Sequence, residues 1–280
     1  MAPRQVAGVR IGLAGVLMLV GVVVTRPRLL RVQRSDWRLL LAYGLFGVAA
    51  VQALYFAGVS RLPVGITMLL EFMSPVLVAL WVRFVRRTHL PRVTWLGIAV
   101  ALLGLAVMAQ VWQGLTLDAV GLLAGIGTAL CAASYWLLGE HAGRSLHPLT
   151  SVTWGLLIGG LLLAVISPPW DLPFDVLDVS TRLGPVWMVL LEITVVATVV
   201  PYVAGMTAFR HIPSNVASVI GVAEPVIATL LAWIVLGQAL NVVQIMGGMA
   251  ILAGAYVAQR ASQSTREQNT GDALVGTLAP

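Results

Sequence analysis

The chain has 280 residues, of which 59% are hydrophobic and only 10% charged, with a formal net charge of +6 at pH 7. Soluble domains carry roughly a quarter charged residues, so a water-surrounded globule is excluded and lipid must solvate most of the apolar surface. The basic excess is spread over alternate connections instead of forming one patch, which argues against a nucleic-acid partner and makes the lipid bilayer the expected one.

Crossing a hydrocarbon layer roughly 30 Å thick takes about 20 apolar residues as a helix. Nine segments meet this requirement, near 5–24, 38–58, 64–84, 92–110, 120–139, 149–167, 184–207, 213–236 and 241–259. They are continuously apolar, without the alternation of barrel strands, so helices are predicted. The first segment, within MAPRQVAGVRIGLAGVLMLVGVVVTRPR, is followed by Arg26, Arg28, Arg31, Arg34 and Arg38 and shows no small-x-small cleavage site. It reads as a retained helix. All 17 basic residues are arginine. The connection between the third and fourth segments holds Arg83, Arg86, Arg87 and Arg92, and Arg144, Arg210, Arg260 and Arg266 continue the alternation. The intervening loops carry Arg61, Asp118 and an acidic stretch of Asp171, Asp175 and Asp178 with a lone Arg182. The positive-inside rule then places the first set in the cytoplasm, the C-terminus inside and the N-terminus outside a plasma membrane. The polar tail ASQSTREQNTGDALVGTLAP, residues 261–280, is expected to be a disordered cytoplasmic end.

Sliding the chain against itself by 150 residues aligns Pro63 with Pro213, Pro75 with Pro225, Gly97 with Gly247 and Gly104 with Gly254 without a gap. The basic loop 83–92 falls on the nearly uncharged loop 236–241, and the turn at Arg61 falls on that at Arg210, so equivalent loops face opposite sides. This pattern is an inverted-topology repeat, as found in many secondary transporters with sites near the midplane. The first repeat covers 1–110 with four helices and the second 120–260 with five. The helix without a partner is the first of the first repeat; either it lies upstream of Met1, which is the expectation, or the protein works with nine helices.

The stretches PVGITMLLEFMSPVLVAL, TVVPYVAGMTAFRHIP from Thr198 and AEPVIATLLAWIVLGQAL from Ala223 resemble the drug/metabolite transporter superfamily, in its EamA-repeat branch. Pro-x-Gly-Ile followed by Leu-Glu-Phe and a later proline is most similar to the threonine/homoserine exporters. The resemblance covers about residues 5–260. It implies an all-α membrane protein, ten helices in two inverted five-helix repeats around a central cavity. This chain offers nine predicted transmembrane helices (4+5), with the first apparently missing. It also implies a small-molecule substrate, an exported amino acid of the threonine or homoserine kind. Gln238 stands where the family often has Glu after the Leu-Gly of its ninth helix.

Glu71 lies about seven residues, or roughly 10 Å, inside its segment. A charge near the bilayer centre costs on the order of 3 kcal/mol, so such residues face a bundle interior or wet cavity. Glu224 aligns with Ser74, on the same helical face as Glu71, so the two carboxylates are pseudo-symmetric. Pro75 and Pro225 follow them and would each bend the helix and free a carbonyl for a bound ammonium group. Glu192 belongs either to a proton pathway or to a pair with Arg10 at similar depth. Arg10 binds a substrate carboxylate or snorkels to the interface. Gln52 and Tyr202 are repeat-equivalent, and with Asn215, Tyr135, Trp136 and Tyr55 they are cavity-lining candidates. Protons are the expected coupling ion. The pairs Gly8 with Gly12, Gly121 with Gly125 and Gly155 with Gly159 have the small-xxx-small spacing of helix packing.

His89, His141, His147 and His211 all fall in predicted loops and lack the HExxH arrangement, and the single Cys131 can make neither a disulfide nor a thiolate cluster. Neither the GxxxxGK[ST] phosphate loop nor Gly-x-Ser-x-Gly occurs, so ATP-driven transport and serine hydrolysis are not expected. No cofactor or metal is expected, and an enzyme reading has little support. Export of other metabolites or cationic, drug-like compounds is the alternative within transport, and a non-transporting membrane partner the alternative outside it. Oligomeric state is not set by composition.

Overall fold

The computed structural model describes residues 3–112, 118–169, 178–181, 184–236 and 241–278. Gln238, Asp171, Asp175 and Arg182 lie outside the described residues. Among the described residues, eight helices are long and apolar enough to cross a membrane: Arg4–Thr25, Trp37–Val59, Val64–Phe84, Ala119–Ser145, Pro148–Ile166, Val186–Ala208, Ser214–Leu231 and Val242–Ala261. A shorter apolar helix, Arg92–Met108, occupies the fourth expected position. In chain order these are the first to ninth spans. The fifth extends six residues beyond the predicted 139, because Glu140 and Arg144 pair one turn apart at 2.9 Å and keep a charged segment helical. The ninth continues as helical backbone, Val242–Leu278, through the polar tail predicted to be disordered. Between the sixth and seventh spans, Ser180–Thr181 pairs antiparallel with Gly184–Pro185. Gly184 has φ +114°, which glycine adopts readily.

The chain packs as two compact units, Met1–Ser60 with Leu130–Pro213, and Arg61–Ala129 with Ser214–Pro280. These units cut across the sequence repeats, since each draws helices from both.

In the first unit the first and sixth spans approach closely at glycines. A Cβ added at Gly160 would lie 2.6 Å from the Gly12 Cα, and one at Gly15 2.9 Å from the Leu157 amide nitrogen. The second span meets the sixth through side chains seated on glycines: the Tyr43 ring on Gly155 and Ile158 on Gly44. Phe209 of the seventh span's end sits on Gly139 and Gly143 of the fifth. The arginine-rich connection after the first span is tied to the sixth, where Thr150 Oγ1 donates to the Leu29 carbonyl (2.8 Å) and Trp154 Nε1 to the Leu30 carbonyl (3.3 Å).

In the second unit the fourth and ninth spans cross antiparallel on four glycines. Added Cβ atoms would lie 2.7 Å from the Gly254 carbonyl oxygen at Gly97 and 2.8 Å from that of Gly247 at Gly104. Small residues allow backbones to meet at this separation. Ala101, Leu105, Met108, Val222, Val226 and Ile251 form a buried cluster on this crossing, with Leu69 and Phe72 packed against it. Gly121 and Gly125 of the fifth span receive Leu62 and Leu70.

Candidate functional site

Two membrane spans of the second unit are broken. The third consists of helices Val64–Glu71 and Ser74–Phe84, and the eighth of Ser214–Gly221 and Glu224–Leu236. Adding 150 to the turn at Phe72 and Met73 gives the turn at Val222 and Ala223, so the breaks obey the repeat. Pro75 and Pro225 have no N–H for the carbonyls four residues earlier, those of Glu71 and Gly221. Each proline stands second in the following helix, where a missing amide costs nothing. In the third span the two-residue turn stays near helical, Phe72 at φ −74°, ψ 4° and Met73 at φ −68°, ψ −11°, and one apolar span runs through it from Val64 to Phe84. Across the two turns, the amides of Phe72 and Met73 bond the carbonyls of Met68 and Leu70, and those of Val222 and Ala223 bond the carbonyls of Val219 and Ile220.

A carboxylate stands at each break. Glu71 ends its half-helix, half-buried, while Glu224 begins its own in the first turn, exposed on the protein's own surface. Helix N-termini favour negative charge and C-termini disfavour it, so the two groups sit in opposite backbone fields. They lie within electrostatic reach of one another. The second half of the third span packs on the first half of the eighth, and Phe72 and Val222 share one apolar cluster. Asn215 lies six residues before Gly221, about 9 Å along the helix at 1.5 Å per residue, and so is not at the level of the break. Its carbonyl accepts from Ser218 Oγ at 3.2 Å.

The remaining candidates lie in the first unit. The second span is π-helical at Tyr43–Ala50 and the seventh at Val195–Val199. Shifted by 150, the former becomes 193–200, so these rare turns are also repeat-equivalent; π-turns occur often at functional sites. In the seventh span the turn precedes Pro201, and Thr198 Oγ1 donates to the Ile193 carbonyl, five residues back, at 3.0 Å. Gln52 and Tyr202 follow these turns, both half-buried. Tyr135 is the centre of an aromatic cluster, with ring centroids 5.8 Å from Tyr43, 5.9 Å from Tyr202, 5.9 Å from Phe209 and 5.1 Å from Trp136. Tyr55 instead packs on Phe56.

Arg10 and Glu192 occupy the first and seventh spans, which pack on one another. No ion pair between them is present among the described residues; the Arg10 Nε is buried without a hydrogen-bond partner, while Glu192 is exposed. Glu140, a buried carboxylate, is missing from the sequence-derived candidates. Its signal was present in the spacing to Arg144, but it falls one residue beyond the predicted helix end at 139. No group of three or more His, Cys, Asp or Glu residues able to hold a metal occurs among the described residues.

Comparison with known proteins agrees with this architecture. A solved crystal structure of 18% identity superposes with a TM-score of 0.77, covering 95% of this chain and 90% of its own. The threonine/homoserine exporter RhtA of Salmonella typhimurium is 29% identical over 232 residues, 81% of this chain and 73% of that protein. The Escherichia coli protein of that name is 28% identical over the same shares. An uncharacterized transporter of Archaeoglobus fulgidus is 29% identical over 259 residues, 92% of this chain and 89% of its own. The EamA-like transporter family matches residues 1–110 and 119–259, and the chain, with its helices of membrane-spanning length, belongs to that family of membrane transporters.

Proposed function

We propose that this chain is a secondary exporter of small amino acids of the threonine and homoserine kind, working by alternating access and exchanging substrate for protons. The observation that carries the reading is the pair of repeat-equivalent helix breaks, each holding a carboxylate. Discontinuous helices place backbone charge inside the membrane, half-helix N-termini for anionic groups and C-terminal carbonyls for cations. Glu71 and its own carbonyl, to which Pro75 offers no amide, suit an ammonium group, and the Glu71–Glu224 pair can trade a proton for that ammonium. The similarity to proteins named threonine/homoserine exporters supports the substrate class.

A second reading is export of cationic drug-like compounds. The Tyr43, Tyr135, Tyr202, Trp136 and Phe209 cluster favours it, since aromatic faces attract organic cations.

The test is counterflow of labelled threonine in proteoliposomes, with wild type and Glu71→Gln, competed by an amino-acid panel and a cationic dye. Threonine exchange that a pH gradient accelerates and Glu71→Gln abolishes is the expected result. Transport indifferent to the gradient would remove proton exchange, and competition by the dye alone would replace the first reading with the second.

A further inference from the structure

We infer that the corner of the first unit where Arg26, His147 and Arg210 meet binds the phosphate headgroup of an anionic phospholipid. Such a lipid is a partner of the fold, not a solute carried by it, and its site does not depend on which compound is exported.

Level is the first observation. Arg26 directly follows the first span, His147 directly precedes the sixth, and Arg210 stands two residues past the seventh. Successive spans cross in opposite directions, so these three ends lie on one side of the membrane and their side chains at the height of the headgroups. Adjacency is the second. The first and seventh spans both pack on the sixth, within one unit. Thr150 and Trp154 of the sixth span hold the Leu29 and Leu30 carbonyls of the connection that begins at Arg26, and Trp154 meets Trp37 edge-on with ring centroids 4.8 Å apart. Tryptophan favours the headgroup level of a bilayer.

The third observation is positive charge gathered without an anion. Both guanidinium groups reach the His147 imidazole electrostatically, since burial, then Arg210 and then Arg26 hold it below its ordinary value. The ring Nδ1 accepts from the Leu149 amide at 3.2 Å, which leaves Nε2 as an N–H donor. His147 also caps the 19-residue helix Pro148–Ile166, whose N-terminal dipole adds to the positive field. Among the described residues neither Arg26 nor Arg210 makes an ion pair, and the buried Glu140 is engaged by Arg144. Basic pockets between membrane helices suit lipid phosphate, and the guanidinium fork matches its oxygens. The fourth observation favours a lipid over free phosphate. Val20, Val23 and Val24, spaced to share one face of the first span, are exposed on its last turns just below Arg26. Acyl chains can lie on that face while the headgroup meets the arginines.

The test is native mass spectrometry of the full chain in detergent micelles, titrated with phosphatidylglycerol, with phosphatidylcholine and with inorganic phosphate. Wild type is expected to prefer phosphatidylglycerol to phosphatidylcholine by about tenfold or more, since each basic side chain near a lipid surface adds about fivefold. Arg26→Gln and Arg210→Gln should each weaken phosphatidylglycerol binding about fivefold, and the lysine variants at both positions should retain most of it. Arg4→Gln, which removes the same charge at the opposite end of the first span, should leave it unchanged. Equal affinity of wild type for the two lipids overturns the site without reference to any variant. A preference that Arg26→Gln and Arg210→Gln leave intact, or that Arg4→Gln reduces as much, overturns it too and assigns the attraction to the charge of the chain as a whole. Displacement of phosphatidylglycerol by inorganic phosphate at equal concentration would give the corner to a soluble anion and overturn the lipid. Threonine counterflow is read separately, so failure of the lipid site and failure of the export reading are distinct results.

Discussion

Gly104→Ala should separate the fourth and ninth spans. The added Cβ would lie 2.7 Å from the Ile251 amide nitrogen, 2.8 Å from the Ala250 Cβ and 2.8 Å from the Gly247 carbonyl oxygen. Ordinary contact begins at 3.4 Å, so the facing atoms must retreat by 3.4 − 2.7 = 0.7 Å. Two of the three are backbone atoms and cannot swing away as a side chain tip would. Overpacking of this kind costs about 1–3 kcal/mol, set against a gain of about 1 kcal/mol from replacing glycine by alanine in a helix. The control is Gly21→Ala, where a Cβ would meet nothing within 4 Å and only the gain applies. Relative to that control, Gly104→Ala should lose about 1–3 kcal/mol in reversible unfolding by detergent titration, followed by tryptophan fluorescence. Equal stabilities for the two variants would refute the claim that glycine size sets this crossing.

Tyr135→Ala should cost about 3 kcal/mol in the same assay, because it removes the ring at the centre of the Tyr43, Tyr202 and Phe209 cluster; Tyr135→Phe should cost less than about 1.5 kcal/mol. A Tyr135→Ala protein as stable as Tyr135→Phe would show that the cluster contributes little to packing. For His147, burial and then the Arg210 and Arg26 guanidinium groups push the imidazole below its ordinary value of 6.5. The unfolded chain therefore takes up the proton first as pH falls, so stability is full above pH 6.5 and declines through the window just below it. His147→Asn keeps an acceptor for the Leu149 amide and should flatten that part of the stability profile; superimposable profiles would count against the assignment.

The spans were legible because their signal is local. A run such as Val64–Phe84 is apolar for the thickness of a bilayer whatever surrounds it. The breaks were half legible: Pro75 and Pro225 marked where amides are missing, but the two-residue turns at Phe72–Met73 and Val222–Ala223 also depend on packing against the fourth and ninth spans. Gly97, Gly104, Gly247 and Gly254 were visible as a repeat, yet which glycine meets which is a long-range fact that a shift of register cannot supply. The same holds for the two packing units, which regroup helices from both repeats. The π-turns left little trace, since Tyr43–Ala50 has no proline and reads as ordinary helix. Glu140 shows the limit from the other side, because burial of a charged residue depends on neighbours far away in the chain.

The glycine crossing of the fourth and ninth spans has a property that follows from its arithmetic. Gly97 faces Gly254 and Gly104 faces Gly247, while a shift of 150 turns Gly97 into Gly247 and Gly104 into Gly254. Each contact thus joins one glycine to the counterpart of the other. Two antiparallel copies of the fourth span alone would reproduce the crossing, each presenting one patch to the same patch on its partner, which is the defining arrangement of a two-fold dimer. A half-length protein inserted in both orientations would already possess this interface. Joining two such halves in one chain would preserve it and leave each copy free to carry its own residues at the break, Glu71 before the turn in one and Glu224 after it in the other.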